Sequence, residues 1–241
     1  MIVSKLRIWV VMFDMKILII NPNTTSAMTR KIGMAASAIA RSDTEIVAVN
    51  SQRGPASIQG FLDVANCVPG LLEEVALHPE VDAIVVACFD DTGVDAVRTL
   101  VSVPVLGIGE AAYHAASMIA TKFSVITTLS RSVTGLENNL MRYGLAQKCV
   151  RVRATDIPVL KLEEGDPATL DKIRSEIRLA ISEDKAEAIV LGCAGMADLM
   201  AQLSEEFGMP IIDGVTAGIT FAEALVNNKL RTSKVGAYSL S

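Results

Sequence analysis

Short runs of apolar, often β-branched residues alternate along this chain with longer segments rich in alanine and glutamate. The short runs predict buried strands, because a strand covered on both faces is a near-continuous apolar run; they lie at residues 16–20, 45–49, 83–87, 103–108, 123–127, 151–155, 188–192 and 210–212. The segments between them predict helices at residues 26–40, 57–76, 91–100, 110–120, 132–144, 167–184, 196–207 and 215–227. Alternation of this kind indicates βαβ units around a parallel sheet, with helices on both faces.

The chain also repeats itself. The stretch VDAIVVACFDDTGVDAVRTLVSVPVLGIGEAA (81–112) is similar to AEAIVLGCAGMADLMAQLSEEFGMPIIDGVTAG (186–218), which matches Cys88 with Cys193 at an offset of 105 residues. KILIINPNTT (16–25) is similar to KFSVITTLSRS (122–132) at an offset of 106. We therefore expect an α/β fold of two similar lobes with mainly parallel sheets flanked by helices, related by a pseudo-twofold duplication. The active site would lie in the cleft between the lobes, outside the carboxyl ends of the strands.

The lobes and the N-terminus can be assigned provisionally. We expect residues 15–113 with 214–241 in lobe 1, and residues 114–213 in lobe 2. Residues 1–14 read MIVSKLRIWVVMFD, whose apolar run is shorter than a usual signal core and is followed by no small-residue cleavage site. Met15 opens the first predicted strand, so we expect the first fourteen residues to be a leader that is not native. Without an export signal we expect a cytoplasmic protein whose four cysteines are free thiols.

Composition narrows the class of partner. The net charge is −5 and no basic run is present, which argues against a nucleic-acid surface. The longest apolar stretches, such as residues 83–89, are far shorter than the roughly 20 residues that span a bilayer. Only two histidines are present, so a histidine-rich zinc site is disfavoured. We expect a small-molecule partner, without nucleic acid, membrane or metal.

Cys88 and Cys193 are the principal catalytic candidates, because each ends an apolar strand just before a predicted helix. Backbone N–H groups and the helix dipole at such a turn lower the pKa of a thiol and can hold an oxyanion. A single cysteine is more often a small core residue. Two at equivalent positions suit a two-base proton exchange, in which one thiolate removes a proton and the opposite thiol supplies one. The sulfurs would then be about 6–7 Å apart, too far for a disulfide.

Polar residues at other strand ends are further candidates. Asn23 and Thr24 follow the first strand, and the repeat places Thr127 and Thr128 opposite them. They could hydrogen-bond the carbonyls or amides of a ring, or form a turn that caps the helix from residue 26. Ser57 is a weaker candidate of the same kind. Asp90 could accept a ring N–H, orient Cys88, or cap the following helix.

A glycine motif points elsewhere. Gly107-Ile-Gly109-Glu-Ala-Ala112 follows a predicted strand and opens a predicted helix, as a dinucleotide-binding fingerprint does. In such a fold the next strand ends near an acidic residue that holds the ribose, whereas here it ends in Thr127-Thr128-Leu129-Ser130. The sequence therefore argues against a nucleotide-dependent oxidoreductase.

Several motifs together resemble the aspartate/glutamate racemase superfamily, and within it the hydantoin racemases. They are Ile20-Asn-Pro-Asn-Thr24, Pro55-Ala-Ser-Ile58, Ala87-Cys-Phe-Asp-Asp91, Phe123-Ser-Val-Ile-Thr-Thr128, Asp156-Ile-Pro-Val159, Glu187-Ala-Ile-Val-Leu-Gly-Cys-Ala-Gly-Met196 and Ile212-Asp-Gly-Val215. The resemblance runs from Met15 to about Tyr238. It implies a cofactor-independent racemase of 5-substituted hydantoins that works as a homo-oligomer, with Cys88 and Cys193 as catalytic residues. The substrate-binding residues would be Asn23, Thr24, Ser57, Phe89, Asp90, Thr127, Thr128, Gly192, Ala194 and Gly195.

Other members of the superfamily remain as alternatives. Allantoin racemases, whose substrate is a 5-ureidohydantoin, look very similar. Arylmalonate decarboxylases resemble the family but use only the second-lobe cysteine, so Cys88 counts against a lyase, and the paired thiols count against a non-catalytic binding protein. The amino-acid racemases follow the first cysteine with Asn-Thr and the second with Thr-His, whereas here Phe89-Asp90-Asp91 and Ala194-Gly195-Met196 follow. Two acids beside the first thiol disfavour a carboxylate and favour a small neutral cyclic ureide.

Overall fold

Two four-stranded parallel sheets organise the fold, in a computed structural model that describes residues 14–240. The strands are β1 (Met15–Asn21), β2 (Thr44–Asn50), β3 (Ala83–Val86), β4 (Val105–Gly107), β5 (Phe123–Thr127), β6 (Cys149–Ala154), β7 (Ala188–Gly192) and β8 (Ile211–Asp213). Their order is β2-β1-β3-β4 in the first sheet and β6-β5-β7-β8 in the second. The expected α/β fold with two similar sheets is confirmed.

Helices connect the strands and cover the sheets. They are α1 (Ser26–Ile39), α2 (Phe61–Leu77), α3 (Val94–Leu100), α4 (Ile108–Ile119), α5 (Val133–Arg142), α6 (Pro167–Ser182), α7 (Met200–Phe207) and α8 (Gly214–Asn227). The C-terminal helix α8 packs against α4 and α1 and contacts β3 and β4 of the first sheet. The limits of the two lobes stay a prediction.

The duplication extends to the pairing of the strands. Ile17 of β1 lies beside Ala83 of β3, and Phe123 of β5 lies beside Ala188 of β7, which are the positions 106 and 105 residues further along. The β3–β4 and β7–β8 pairs keep the same relation. Equivalent strand ends, and therefore equivalent turns, occur in both halves.

The central strands are apolar on both faces because both faces are covered. Every residue of β3, β5 and β7 is buried, whereas the edge strands β2 and β6 are largely half-buried or exposed. This is the arrangement that the continuous apolar runs predict for parallel strands between helical layers.

Three predicted helices, α2, α3 and α7, begin three or four residues later than expected, and the last two follow a cysteine. Asp91 has a left-handed backbone (φ 52°), so α3 begins at Val94 and not at residue 91. After Cys193 the chain forms a 3-10 segment, Ala194–Leu199, before α7 begins. Each cysteine therefore lies on a tight turn and not directly at the start of an α-helix.

The N-terminal prediction is largely outside the described residues, since of residues 1–14 only Asp14 is described. Met15 opens β1 and is buried. Within residues 14–240, no helix has the length and apolar character needed to cross a membrane.

Candidate active site

Cys88 and Cys193 line the same pocket, at the carboxyl ends of β3 and β7. Its wall consists of Asn23, Met28, Ile58, Ala87, Cys88, Phe89, Asp90, Thr127, Thr128, Ser132, Leu136, Val159, Gly192, Cys193 and Ala194. Strands from both sheets contribute, so the pocket is shared between the two halves of the fold. This is the location at which open parallel sheets bind ligands.

The Cys88 thiol has two polar neighbours on its own turn. Its Sγ donates to Oδ2 of Asp90 at 3.9 Å and lies 3.7 Å from Oγ1 of Thr92. Burial, followed by the negative charge of Asp90, raises the pKa of Cys88 well above its ordinary value. The expectation of a thiol pKa lowered by a helix N-terminus is wrong for Cys88, because burial dominates and α3 begins only at Val94. The resting group is a neutral thiol.

The Asp90 side chain accepts a hydrogen bond from the Cys88 thiol and does not cap a helix. Burial raises the pKa of Asp90 to about 6, so the group is mainly a carboxylate at neutral pH. The N-cap residue of α3 is Gly93. The Asp90 backbone carbonyl accepts a hydrogen bond from Nδ2 of Asn139 on α5 at 2.9 Å. The geometry therefore supports the contact with Cys88 over the helix cap, and acceptance of a ring N–H by Asp90 stays a prediction.

Asn23 is held by the turn after β1. Its Oδ1 accepts hydrogen bonds from the Thr25 backbone N–H and from Asn21 Nδ2, both at 2.9 Å. Its Nδ2 donates to the Met28 thioether at 3.4 Å, and a thioether is a weak acceptor. The carboxamide is thus oriented by its oxygen, and its NH₂ group contacts a weak acceptor that belongs to the same pocket wall.

The second half supplies Thr127 and Thr128 at the end of β5. The Thr127 hydroxyl donates to the Gly192 carbonyl at 3.1 Å, which joins the ends of β5 and β7 beside Cys193. Thr128 is also buried, and its carbonyl accepts a hydrogen bond from the Ile157 backbone N–H at 3.2 Å. These contacts hold in place the part of the wall from which Cys193 projects.

Three predicted substrate-binding residues lie outside the pocket wall. Thr24 donates its backbone N–H to the Pro55 carbonyl at 3.1 Å. The Ser57 hydroxyl accepts a hydrogen bond from the Gln59 side chain. Gly195 belongs to the 3-10 segment after Cys193. Thr24 and Ser57 belong to turns that hold the wall, and a contact of any of the three with substrate stays a prediction.

Six residues of the wall were not found from the sequence: Met28, Ile58, Ala87, Ser132, Leu136 and Val159. All except Ser132 are apolar, and a search for polar side chains at strand ends does not find them. Ser132 could have been found, because it lies in the segment after β5 that corresponds to the Asn23 turn after β1. Within residues 14–240, no three or more His, Cys, Asp or Glu side chains are grouped as a metal site requires.

Comparison with known proteins places this architecture in a family. Residues 17–222 match the model of the Asp/Glu/Hydantoin racemase family. The hydantoin racemase of Pseudomonas sp. (strain NS671) is 46% identical, over 93% of this chain and 91% of that protein. The hydantoin racemase of Rhizobium meliloti is also 46% identical, over 93% of this chain and 94% of that protein.

A solved structure of a similar protein has the same fold. The allantoin racemase from Klebsiella pneumoniae superposes with a TM-score of 0.92 at 44% identity, covering 94% of both chains. Similarity of this extent to named racemases identifies the protein as an isomerase, and the chain belongs to the Asp/Glu/Hydantoin racemase family.

Proposed function

We propose that this enzyme racemises 5-substituted hydantoins with Cys88 and Cys193 and without a cofactor. The observation that carries the proposal is that the two thiols, from equivalent turns of a duplicated fold, line one pocket. C5 of a hydantoin is next to a carbonyl, so its deprotonation leaves a planar enolate that can be reprotonated from either face. Neither a metal nor an imine-forming cofactor is required for such a step.

The proton transfers can be written for one direction. The Cys88 proton passes to Asp90 along the 3.9 Å contact, and the Thr92 hydroxyl, 3.7 Å away, donates to the thiolate. The thiolate then takes the C5 proton, and the electrons of the broken C–H bond enter the enolate. The Cys193 thiol gives its proton to C5 on the opposite face, and the proton held by Asp90 returns to Cys193 through solvent before the next turnover in this direction. The reverse reaction uses Cys193 as the base and Cys88 as the acid.

A high thiol pKa is compatible with this chemistry. A thiolate that is hard to form is also a strong base once formed, and proton transfer from carbon benefits from that strength. The carboxylate of Asp90 is the acceptor to which the thiol proton passes inside the pocket, although its charge also raises the pKa of the thiol. The N–H groups of Asn23 can donate to the enolate oxygen, a contribution of the kind that is worth about 10²–10³ in rate.

The charge of the wall indicates the substrate class. Among the described residues of the wall, Asp90 is the one charged side chain, and no arginine or lysine is present to hold a carboxylate. The carboxylate of a free amino acid or of a malonate would therefore meet the like charge of Asp90 with no cation to offset it, which disfavours the decarboxylase alternative. A neutral ring with N–H donors complements both Asp90 and Asn23.

Allantoin is the second candidate substrate. It is a hydantoin with a 5-ureido group, and the hydroxyls of Ser132 and Thr128 give the wall polar groups that could bind this substituent. The apolar side chains of Phe89, Leu136 and Val159 suit alkyl and benzyl substituents instead. Polarimetry on 5-alkyl, 5-benzyl and 5-ureido hydantoins ranks the three. We also expect the enzyme to act in the cytoplasm as a homo-oligomer.

The mechanism is tested with Cys88→Ser and Cys193→Ser. Each should abolish racemisation, and each should retain deuterium exchange at C5 for one enantiomer only, with opposite enantiomers for the two variants. Addition of a chelator should leave the wild-type rate unchanged. Racemisation by either single variant at near the wild-type rate would show that the two-base mechanism is wrong.

A further inference from the structure

The glycine motif at the start of α4 makes room for a carboxylate. A Cβ atom on Gly107 would lie 2.0 Å from Oδ1 of Asp91, and one on Gly109 would lie 2.4 Å from the Phe89 carbonyl oxygen and 2.7 Å from Oδ2 of Asp91. Distances this short exclude any side chain at either position while Asp91 is in place. The motif that resembles a dinucleotide fingerprint is therefore explained by the turn after Cys88, whose Phe89 carbonyl and Asp91 carboxylate fill this space.

Both carboxylate oxygens of Asp91 accept backbone N–H groups at the N-terminus of α4. Its Oδ1 accepts the Gly109 backbone N–H at 2.8 Å, and its Oδ2 accepts the Glu110 backbone N–H at 2.7 Å and the Tyr143 hydroxyl at 2.8 Å. The residue is buried, and its own backbone N–H donates to the Cys88 carbonyl at 2.9 Å. The turn that begins at Cys88 is closed on itself and anchored at its other end.

In the second half of the fold, a different residue caps the helix that corresponds to α4. There, α8 is capped by Asp213, at the end of its own strand, whose Oδ1 accepts the Thr216 backbone N–H at 2.9 Å. Asp213 corresponds to Gly107, and the residue that corresponds to Asp91 is Met196, which is buried and apolar. Of the two halves described, only the first thus uses a carboxylate from the cysteine turn to hold the helix after the next strand, which is α4.

Helix α5 holds the Cys88 turn from the other half of the chain. Tyr143, at the C-terminal end of α5, binds the Asp91 side chain, and Asn139, one helical turn earlier, binds the Asp90 carbonyl. Leu136 of the same helix lines the pocket. The same helix therefore forms part of the pocket wall and holds the Cys88 turn in place.

We propose that Asp91 is a positioning residue for Cys88: its bonds to α4 and to Tyr143 hold the turn so that Sγ stays beside Asp90 and Thr92. This inference rests on the proposed function. Loss of these bonds should raise the barrier to proton transfer at Cys88 and leave transfer at Cys193 unchanged. A displacement of the reacting group of about 1 Å can cost on the order of 10²-fold in rate.

An unequal effect on the two steps has a distinctive signature. When transfer at Cys88 is slow, the enantiomer whose proton Cys193 removes forms the enolate and returns from it many times before it racemises. Its C5 hydrogen then exchanges with solvent faster than the enantiomer inverts. A residue that only stabilises the fold would lower exchange and racemisation in proportion for both enantiomers.

The test compares Asp91→Asn, Tyr143→Phe and the matched cap variant Asp213→Asn. Asparagine tolerates the left-handed backbone, but its NH₂ group would face at least one of the groups that donate a hydrogen bond to Asp91. Deuterium incorporation at C5 in D₂O and optical inversion are measured for each enantiomer. For Asp91→Asn we expect the ratio of exchange to inversion to rise about tenfold for the enantiomer that Cys88→Ser still exchanges, with a smaller rise in Tyr143→Phe. Asp213→Asn should leave both ratios at wild-type values, even if it melts at a lower temperature.

The outcomes separate the two proposals. Proportional losses for both enantiomers in Asp91→Asn, or unchanged ratios, would overturn the positioning role. If Asp91→Asn does not fold, the ratio in Tyr143→Phe decides, and an unchanged ratio there overturns the role as well. Absence of racemisation of every hydantoin by the wild-type enzyme would instead overturn the proposed function.

Discussion

The Sγ atom of Cys88 donates to Oδ2 of Asp90 across 3.9 Å, from the first to the third residue of one turn. The two groups oppose each other electrostatically when both are charged, since the carboxylate of Asp90 adds to burial in raising the pKa of Cys88. A negative charge on both groups at once is therefore energetically unfavourable. The pair can therefore pass a single proton between sulfur and oxygen, as proton abstraction at carbon requires.

The Asp90→Asn variant tests this coupling through the thiol. Removing the carboxylate removes one cause of the raised pKa, so the pKa of Cys88 should fall and its thiolate fraction at a given pH should rise. Iodoacetamide should then alkylate Cys88 faster between pH 7 and 9 than in the wild type, as followed by peptide mass spectrometry. Racemisation should nevertheless fall, because the proton acceptor is lost.

Cys149 serves as an internal control for that measurement. Burial raises the pKa of Cys149 to about 12, and the charges that act on it are those of Glu137 and Asp184, not of Asp90. Its alkylation profile should be the same in both proteins. If the pH dependence of Cys88 alkylation in Asp90→Asn is unchanged or moves to higher pH, the charge of Asp90 does not raise the pKa of Cys88.

The contact between Gly107 and Asp91 predicts a stability effect that depends on both positions. Gly107→Ala should destabilise the protein by about 2 kcal/mol, because the new methyl group meets the Asp91 carboxylate and overpacking of this kind costs about 1–3 kcal/mol. In an Asp91→Ala background the same change should cost at least about 1 kcal/mol less. Urea unfolding followed by circular dichroism measures the four free energies of unfolding.

Gly208→Ala, at the end of α7 in the second half of the chain, is the matched control for this cycle. Gly208 has a left-handed backbone (φ 62°), and among the described residues no atom beyond its chain neighbours lies within 4 Å of the position its Cβ would take. Its cost comes from the backbone and should be the same with either residue at position 91. Equal costs of Gly107→Ala in both backgrounds would show that the steric contact does not decide the stability.

Asn23→Asp separates the two functions of the Asn23 side chain. Aspartate keeps the oxygen that accepts the Thr25 N–H, so the turn should persist, but it loses the NH₂ donor, which contacts Met28 of the pocket wall. We expect kcat to fall by about 10²-fold or more, since a lost donor and an added negative charge both disfavour an enolate. The melting temperature should change little.

Asn50→Asp, at the end of the neighbouring strand β2, is the control. Asn50 also bonds to nearby groups, donating to the Ser51 carbonyl at 3.0 Å, but it is not part of the pocket wall. Its variant should racemise at close to the wild-type rate. If Asn23→Asp retains wild-type kcat, Asn23 holds only the turn and does not bind the enolate.

Much of the fold and part of the site could be predicted from local pattern. Continuous apolar strands and the 105-residue offset between Cys88 and Cys193 reflect burial on both faces and a duplicated chain, and both properties repeat along the sequence. Polar residues at strand ends, such as Asn23 and Thr127, follow from the geometry of parallel sheets, because all carboxyl ends lie on one edge. The apolar wall residues Leu136 and Val159 could not be predicted, because nothing distinguishes them from core residues before the chain is folded.

The sequence alone determines the order of strands and helices, the duplication, and the equivalent positions of Cys88 and Cys193. Alternation and repetition can be recognised from the order of residues along the chain. The environment of Cys88 is not determined in this way. Asp91 meets Gly109 and Tyr143 across 18 and 52 residues of chain, and Asn139 reaches the Asp90 carbonyl across 49. Folding brought these groups together and removed water from them, and that desolvation reversed the expected direction of the Cys88 pKa.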